Sequence, residues 1–411
     1  MSTHPTTLAM LRDAVVVAAV AVLTVQALRR WCGDRYLVPS DSMQPVLYGD
    51  PEDGDVVYVD KLASAASCRR GDLVVVENPA MPGHQLVKRI AASGDDALCW
   101  IDILKGDIWL GESKDRMRRE VKQPRAAMER SVTWAVAGDS RQAHEVLDMR
   151  AAEAVQDGPW VLPPMARGLA DVRSGFRVGA HEVRHREPAD GVLPRGTIGT
   201  SQPVDATFLD AKGVRSLGGD DVSVADCGME LALSKRPKVL LLSIDSSDFA
   251  TTFVWNGEGN TLQVWVDGRV VSEQNGVLQE SWNGEVAFGR LDGRDFVMLG
   301  PTHEFVLETP GVSLLPRPRT WLHVGVVGEE DARIDRLRVF RDVFSYREPV
   351  NSIGEQSPWP KFVRKGHWFL LGDNAFDSRD SRQIGDVPID NFLGKPTYVI
   401  GPWGRARKLP R

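Results

Sequence analysis

Cysteine is scarce in this chain, and what there is does not cluster. The four, Cys32, Cys68, Cys99 and Cys227, stand far apart, with no metal-type spacing and no pattern of a disulfide framework. Cys68 and Cys99 could pair in an oxidising compartment; free buried thiols are the favoured reading. An Asp-x-Asp-x-Asp-Gly loop is missing, which removes the sequence-level case for calcium. Internal repeats and low-complexity tracts are missing too, which excludes solenoids and arrays. Lysine and arginine (50) do not exceed aspartate and glutamate (56), and the net charge of −6 argues against a general nucleic-acid binder. No metal and no cofactor is expected.

Long hydrophobic runs are nearly absent. The exception is Ala14 to Leu28, apolar apart from Thr24 and Gln26. Fifteen helical residues reach ~22 Å, short of a ~30 Å hydrocarbon core. With Leu8, Met10 and Leu11 added, and Arg12 snorkelling outward, residues 8–30 read as a single transmembrane anchor. A cleaved leader and a buried helix are the competing readings. No Ala-x-Ala site follows the run; Arg29-Arg30-Trp31 does. Arg29 and Arg30 outnumber Arg12, so charge alone would place the rest of the chain inside the cell.

The remainder is globular in composition, and 411 residues exceed one ordinary core, so two or more domains are expected. Val56–Val59, Asp72–Glu77 and Gln85–Ala92 read as short strands bounded by turn residues. Cys99–Leu110 reads as a hairpin turning at Lys105-Gly106-Asp107. Such a series predicts a mixed, twisted β domain.

The stretch Pro39-Ser40-Asp41-Ser42-Met43-Gln44-Pro45 carries the first chemistry. Ser42 is the candidate nucleophile. A serine hydroxyl needs a nearby base, and Lys88 is the candidate. A lysine works as a base only when its pKa falls from ~10.4 towards neutrality, which a dry site achieves. In a strand, Leu86 and Ile90 share the face of Lys88 and supply apolar neighbours. Taken alone, serines beside prolines make turns. The weight lies in the ordered set: Ser40 to Pro45, then Arg70-Gly71-Asp72-Leu73-Val74-Val75-Val76, then Val87-Lys88-Arg89-Ile90 and Gly94-Asp95, then Gly372-Asp373-Asn374-Ala375-Phe376-Asp377-Ser378-Arg379-Asp380-Ser381-Arg382.

In that order the set resembles the bacterial type I signal peptidases, Ser/Lys proteases that cut leader peptides from exported proteins. The likeness covers roughly the first hundred residues and the last fifty. It implies a signal-peptidase-type β fold at the membrane, with the catalytic part on the outer, periplasmic face of the bacterial inner membrane. That conflicts with the arginine count, and the family's orientation is preferred. It implies Ser42 and Lys88 as the dyad, with Ser40 and the Ser42 backbone N–H as oxyanion donors. Ser378 would hydrogen-bond the lysine; Asp380 with Arg382 would hold the loop, supported by Gly372, Asp373 and Asn374. Asp380 and Arg382 lie two apart, which in a strand places both on one face. Ala375 and Phe376 replace the family's Arg-Asp pair. The implied substrates, preprotein signal peptides with small side chains at −1 and −3, call for shallow apolar pockets, and Met43, Val46 and Leu47 are the candidates to line them. Membrane lipid is the other expected partner.

Between the matching ends the text changes. Residues 113–203 are charged and irregular, with helix formers from Glu145 to Ala154. Residues 204–345 carry strand-like runs at Val239–Ile244, Ala250–Trp255, Leu262–Val266, Trp321–Val326 and Ile334–Phe340, with Asp267-Gly268 as a hairpin turn. These predict an inserted β-sandwich resembling the concanavalin or laminin-G jelly rolls. Such sandwiches often bind sugars, so a glycan or an envelope protein is its expected ligand. Asp220, Asp221 and Asp245 read as turn residues, and Trp255, Trp265, Trp282 and Trp321 as sandwich core. Residues 31–112 and 346–411 then form the two parts of the catalytic core. The expected fold class is mainly β, and the expected activity is signal peptidase I. Two alternatives stay open: a self-cleaving Ser/Lys regulator, and a decayed protease that binds through its sandwich.

Overall fold

The computed structural model describes residues 7–136, 147–148, 153–154, 160–162, 197–200, 203–209, 215–216, 223–246, 249–278, 284–308, 319–327, 332–347 and 358–409. Asp220, Asp221 and Trp282 lie outside them, as does most of 113–203 beyond residue 136. The chain divides into two compact units. One comprises residues 1–102, 110–118 and 347–411; the other comprises 103–109 and 119–346.

The first unit begins with helix α1, Thr7–Trp31. Its valines and Leu23 are uncovered; Val17 and Leu23 are each 68% exposed. Among the described residues no helix is long and apolar enough to cross a membrane. Strand β1 (Gly33–Leu37) follows after one residue, then β2 (Val56–Asp60), β3 (Leu73–Glu77) and β4 (Gln85–Ser93). These join strands from the far end of the chain in one eight-stranded sheet. Its order is β1, β2, Phe392–Gly401, β3, β4, His367–Leu371, Val387–Pro388, with Arg407–Lys408 on Phe392–Gly401. All the pairings are antiparallel. Two apolar clusters flank the sheet. Val38, Met43, Leu47, Val57, Val59, Leu73 and Val75 pack in one, and Val74, Val76, Ile90, Trp368, Leu370 and Val387 in the other. Alternation along β3 divides its valines between them, as a period of two requires.

Besides a small sheet in which Phe208–Leu209 pairs with Arg215–Ser216, the second unit has two large sheets that share a buried cluster. One runs Glu153–Ala154, Trp160–Leu162, Ala332–Arg341, Cys227–Leu233, Glu285–Leu291, Arg294–Leu299, His303–Glu308, with Val132–Val136 also on Ala332–Arg341. The other runs Arg269–Asn275, Thr261–Val266, Ala250–Asn256, Val239–Ser246, Thr320–Val327, Thr197–Thr200, Leu147–Asp148. Leu231, Phe288 and Val339 of the first sheet share a buried cluster with Leu242, Phe253 and Val324 of the second. Asp267 (φ 46°) and Gly268 (φ 73°) make the hairpin turn that the sequence predicts.

Two expectations need correction here. Helix formers from Glu145 to Ala154 do not make a helix where described: Leu147–Asp148 and Glu153–Ala154 are short edge strands. That segment has no apolar stripe to bury, so sheet edges capture its backbone. Of the core tryptophans, Trp255 is fully buried, whereas Trp265 and Trp321 are half-buried. Leu262, Val264 and Leu322 point into the core, and Trp265 and Trp321 alternate with them onto the opposite face.

Candidate active site

Ser42 sits in a single 3₁₀ turn, Asp41–Met43, five residues past the end of β1. Met43 anchors that turn by burying its side chain in the core, and Leu47 does the same four residues on. Val46 packs against them, half-covered. Two bonds from the distal loop fix the turn: the Asn374 N–H donates to the Ser42 carbonyl at 3.2 Å, and Asn374 Nδ2 to the Asp41 carbonyl at 3.2 Å. Gln44 Nε2 donates to Asp41 Oδ1 at 2.5 Å.

Lys88 stands in the middle of β4, opposite Val74 of β3. It is 3% exposed. Its amine lies 2.6 Å from Ser42 Oγ and donates to it in the protonated form. Burial pulls the Lys88 pKa down from 10.5 to about 8. Asp380 and Asp373 draw it back up, and the positive charge of Arg382 works against them. Leu86 and Ile90 lie on the same face of β4, in the cluster of Val74, Val76 and Leu370.

The Ser40 hydroxyl donates to Ser42 Oγ at 3.4 Å, so it stands beside the nucleophile. Ser40 is exposed. Gly372 makes a close approach to the turn: a Cβ there would stand 2.4 Å from the Ser42 carbonyl and 2.1 Å from Ser378 Oγ. Only glycine fits between them.

Asp380 and Arg382 form a forked pair, Nε to Oδ1 at 2.8 Å and a second guanidinium nitrogen to Oδ2 at 2.8 Å, with both side chains at most 1% exposed. Their local structure differs from the expected strand. Asp380 caps the short helix Ser381–Ile384, accepting from the Arg382 N–H at 3.2 Å, and it accepts from the Gly372 N–H at 2.9 Å. Arg382 also donates to the Ala375 carbonyl at 2.7 Å, so it braces the stretch where Ala375 and Phe376 stand. The bond from Ser378 to Lys88 is not formed. Among the described residues Ser378 Oγ is buried without a hydrogen-bond partner, and the lysine amine is bonded to Ser42.

One contributor went unread in the sequence. Arg89, next to Lys88 and therefore on the other face of β4, forks onto Asp373 at 2.7 and 2.6 Å and reaches the Gly71 carbonyl at 2.5 Å. A charged neighbour beside a proposed base, with an aspartate in the distal motif, was the available signal. The other expected acid, Asp245, is 6% exposed and bonded to Ser243 and His323 in a strand rather than a turn.

Residues 11–130 and 329–401 match the family described as signal peptidase, peptidase S26. The resemblance is to the signal peptidases. Signal peptidase I of Aquifex aeolicus (strain VF5) is 34% identical over 89 residues, 21% of this chain and 33% of that protein. Thylakoidal processing peptidase 1, chloroplastic, of Arabidopsis thaliana is 44% identical over 43 residues, 10% of this chain and 13% of that protein. The matches thus span a third or less of these relatives. Ser42, Lys88 and the Gly372–Arg382 loop all lie inside the two peptidase-like segments. Among solved structures, the toad ovary galectin complexed with N-acetylgalactose has a TM-score of 0.21 at 16% identity, covering 29% of this chain and 98% of that one. The calcium-bound exoplasmic/lumenal domain of VIP36 has a TM-score of 0.29 at 12% identity, covering 57% of this chain and 97% of that one.

Proposed function

We propose that this chain is a membrane-bound serine endopeptidase that removes signal peptides from exported proteins through a Ser42/Lys88 dyad. The observation that carries it is a buried amine, its pKa drawn down to about 8, placed 2.6 Å from a serine oxygen.

Neutral Lys88 accepts the Ser42 proton as Oγ attacks the carbonyl carbon of the scissile bond. The carbonyl oxygen becomes an oxyanion. The Ser42 N–H and the Ser40 hydroxyl are the donors proposed to meet it, each worth ~3 kcal/mol in comparable holes. The Lys88 ammonium then protonates the departing amine, leaving an acyl ester on Ser42. Water, deprotonated by the same amine, releases the acid and restores the serine. Arg89–Asp373 and Asp380–Arg382 hold the strand and loop around the dyad. Met43 and Leu47 lie beneath the serine as apolar packing, and with Val46 they are proposed as the floor of shallow pockets for small side chains. No histidine takes part.

Membrane attachment rests on two features. α1 leaves its valines and Leu23 uncovered, which costs ~25 cal/mol per Å² in water. The sheet beside it exposes Leu37, Tyr58, Tyr398 and Ile400, and Trp403 is 92% exposed. Aromatic and aliphatic side chains of this kind suit the bilayer interface. A substrate whose leader is held in the same bilayer meets the site at high effective concentration. Location at the bacterial inner membrane, with the site on the periplasmic face, belongs to the same proposal, as does a glycan or envelope-protein ligand for the sandwich.

The test is purified full-length protein in detergent with a leader-bearing preprotein, products read by mass. Loss of the leader is expected, abolished by Ser42→Ala and by Lys88→Ala and slowed ~10²-fold by Ser40→Ala. Cleavage that survives Ser42→Ala would rule the mechanism out.

A further inference from the structure

The joint between α1 and the sheet has almost no slack. The helix ends at Trp31 and β1 begins at Gly33, leaving Cys32 alone between them. Three side chains close over this joint. Lys61, just past β2, donates from Nζ to the Arg29 carbonyl at 2.9 Å, satisfying one of the carbonyls that a helix leaves open at its C-terminus. Its ammonium also meets the negative end of the helix dipole. The same Nζ lies 3.8 Å from Asp34 Oδ2 and 5.7 Å from the Tyr36 ring centre. Arg29 Nε returns from the helix to Asp34 Oδ1 at 2.9 Å, and that oxygen also accepts from the Arg35 N–H at 2.9 Å.

The backbone is pinned as well. The Lys61 N–H donates to the Cys32 carbonyl at 3.1 Å, and Gly33 pairs with Asp60 in register. At Gly33 a Cβ would stand 2.2 Å from the Tyr58 hydroxyl, so glycine is what lets the first strand lie flat against the second. Lys61 and Asp34 are each only 20% exposed. The lock therefore sits where water competes less than at an open surface pair.

We infer that Lys61 and Asp34 are positioning residues that lock the helix to the catalytic sheet, so that the depth of α1 in the bilayer sets the height of Ser42 above it. This rests on the proposed function. Ser42 follows β1 in the same unit, through a turn itself held by the core, so a fixed helix means a fixed nucleophile. A soluble peptide diffuses to the site at any height and does not need the lock. A preprotein held by its own leader presents its scissile bond at one depth, and it needs site and membrane in register. Freeing the joint spreads the site over many heights, and the effective concentration falls for that substrate alone.

The test compares Lys61→Met and Asp34→Asn with the unmodified full chain. Each protein is assayed on a short leader peptide in detergent and on a preprotein inserted in phosphatidylethanolamine–phosphatidylglycerol vesicles. Expected is a fall of about tenfold or more on the inserted preprotein, with kcat/KM on the peptide held within about twofold. Lys61→Arg, which keeps the charge and can reach the same carbonyl, should restore most of the loss. Equal losses on both substrates would reduce the pair to a general structural role and overturn the inference, as would no loss on either. If the unmodified chain cleaves neither substrate, the peptidase reading falls first and takes this inference with it.

Discussion

Lys88 is asked to be two things at once, a buried residue of a sheet and a base. Its native pKa of about 8, against 10.5 unfolded, sets the cost. Below pH 8 both states hold the proton, and burying the charge penalises the native state by up to about 3 kcal/mol. Between pH 8 and 10.5 the native amine is neutral while the unfolded lysine keeps its proton until about 10.5, and the penalty fades. Lys88→Met should therefore raise the melting temperature at pH 7 and lose that advantage near pH 10.5, as calorimetry across the range would read. Activity follows the opposite logic. Only the neutral amine accepts the serine proton, so kcat/KM should climb with pH and reach half its plateau near pH 8. A profile flat from pH 5 to 10 would remove Lys88 from the role of base. These residues were legible in the sequence because Ser42 and Lys88 lie 46 positions apart in local patterns that read as a turn and a strand. The partner of Ser378 was not legible. Which neighbour a lysine amine chooses depends on fractions of an ångström that no residue pattern encodes.

Secondary elements hold the distal half of the site through one small cap. Asp380 ends the loop after His367–Leu371, caps Ser381–Ile384, accepts from the Gly372 N–H and forks with Arg382. Asp380→Ala would leave the Arg382 guanidinium buried without its carboxylate. Breaking a buried pair by removing one partner costs about 3–5 kcal/mol. Chemical denaturation should show a loss of that order, and the peptidase rate should fall with it, since the Gly372 turn adjoins the Ser42 carbonyl. Arg382→Met in the same background should recover part of the stability, because the stranded charge is then gone. At this scale the sequence was informative about strands and poor about caps. Val239–Ser246, Ala250–Asn256 and Thr261–Val266 were readable from alternation and from the Asp-Gly turn. Whether Asp380 and Arg382 were neighbours on a strand or a helix cap and its first turn was not, since a spacing of two suits both.

Across the whole molecule, Arg89 must find Asp373, 284 residues away, for the first unit to close. The intervening unit makes this feasible by bringing its own ends together. Lys122 near its start bonds Asp342 near its end, 220 residues later, and Lys122 Nζ lies 3.4 Å from Asp292. A stretch of ~220 residues that is already closed acts as a connection of a few residues and spares the first unit about 3 kcal/mol of closure entropy relative to an open loop of that length. The clasp is electrically strained. Asp107, Asp226, Asp292 and Asp342 offer oxygens that all lie within 4.8 Å of one another, while Arg119 pairs with the Asp107 carboxylate at 3.3 Å and donates to the Asp292 carbonyl. No local motif announces such a cluster, because its members come from four distant turns and strand ends. Burial, only partly offset by Lys122, pushes Asp107 up to about 6, and burial with its acidic neighbours holds Asp226 well above the usual carboxylate range. Raised carboxylate pKa values mean protons held in the native state and released in it only at higher pH, so the cluster's contribution falls as pH rises from about 4 through 6 and beyond. The Lys122 charge is constant over that window and cannot mask the slope. Thermal melts of the full chain should therefore be lower at pH 8 than at pH 5.5, with Asp226→Asn flattening the difference. Lys122→Met should lower both, and more at pH 8, where more of the four carboxylates are charged. Because the clasp also closes the chain for the first unit, the same substitution should cost the proposed leader cleavage most at alkaline pH, where the Lys88 amine is otherwise best prepared to act.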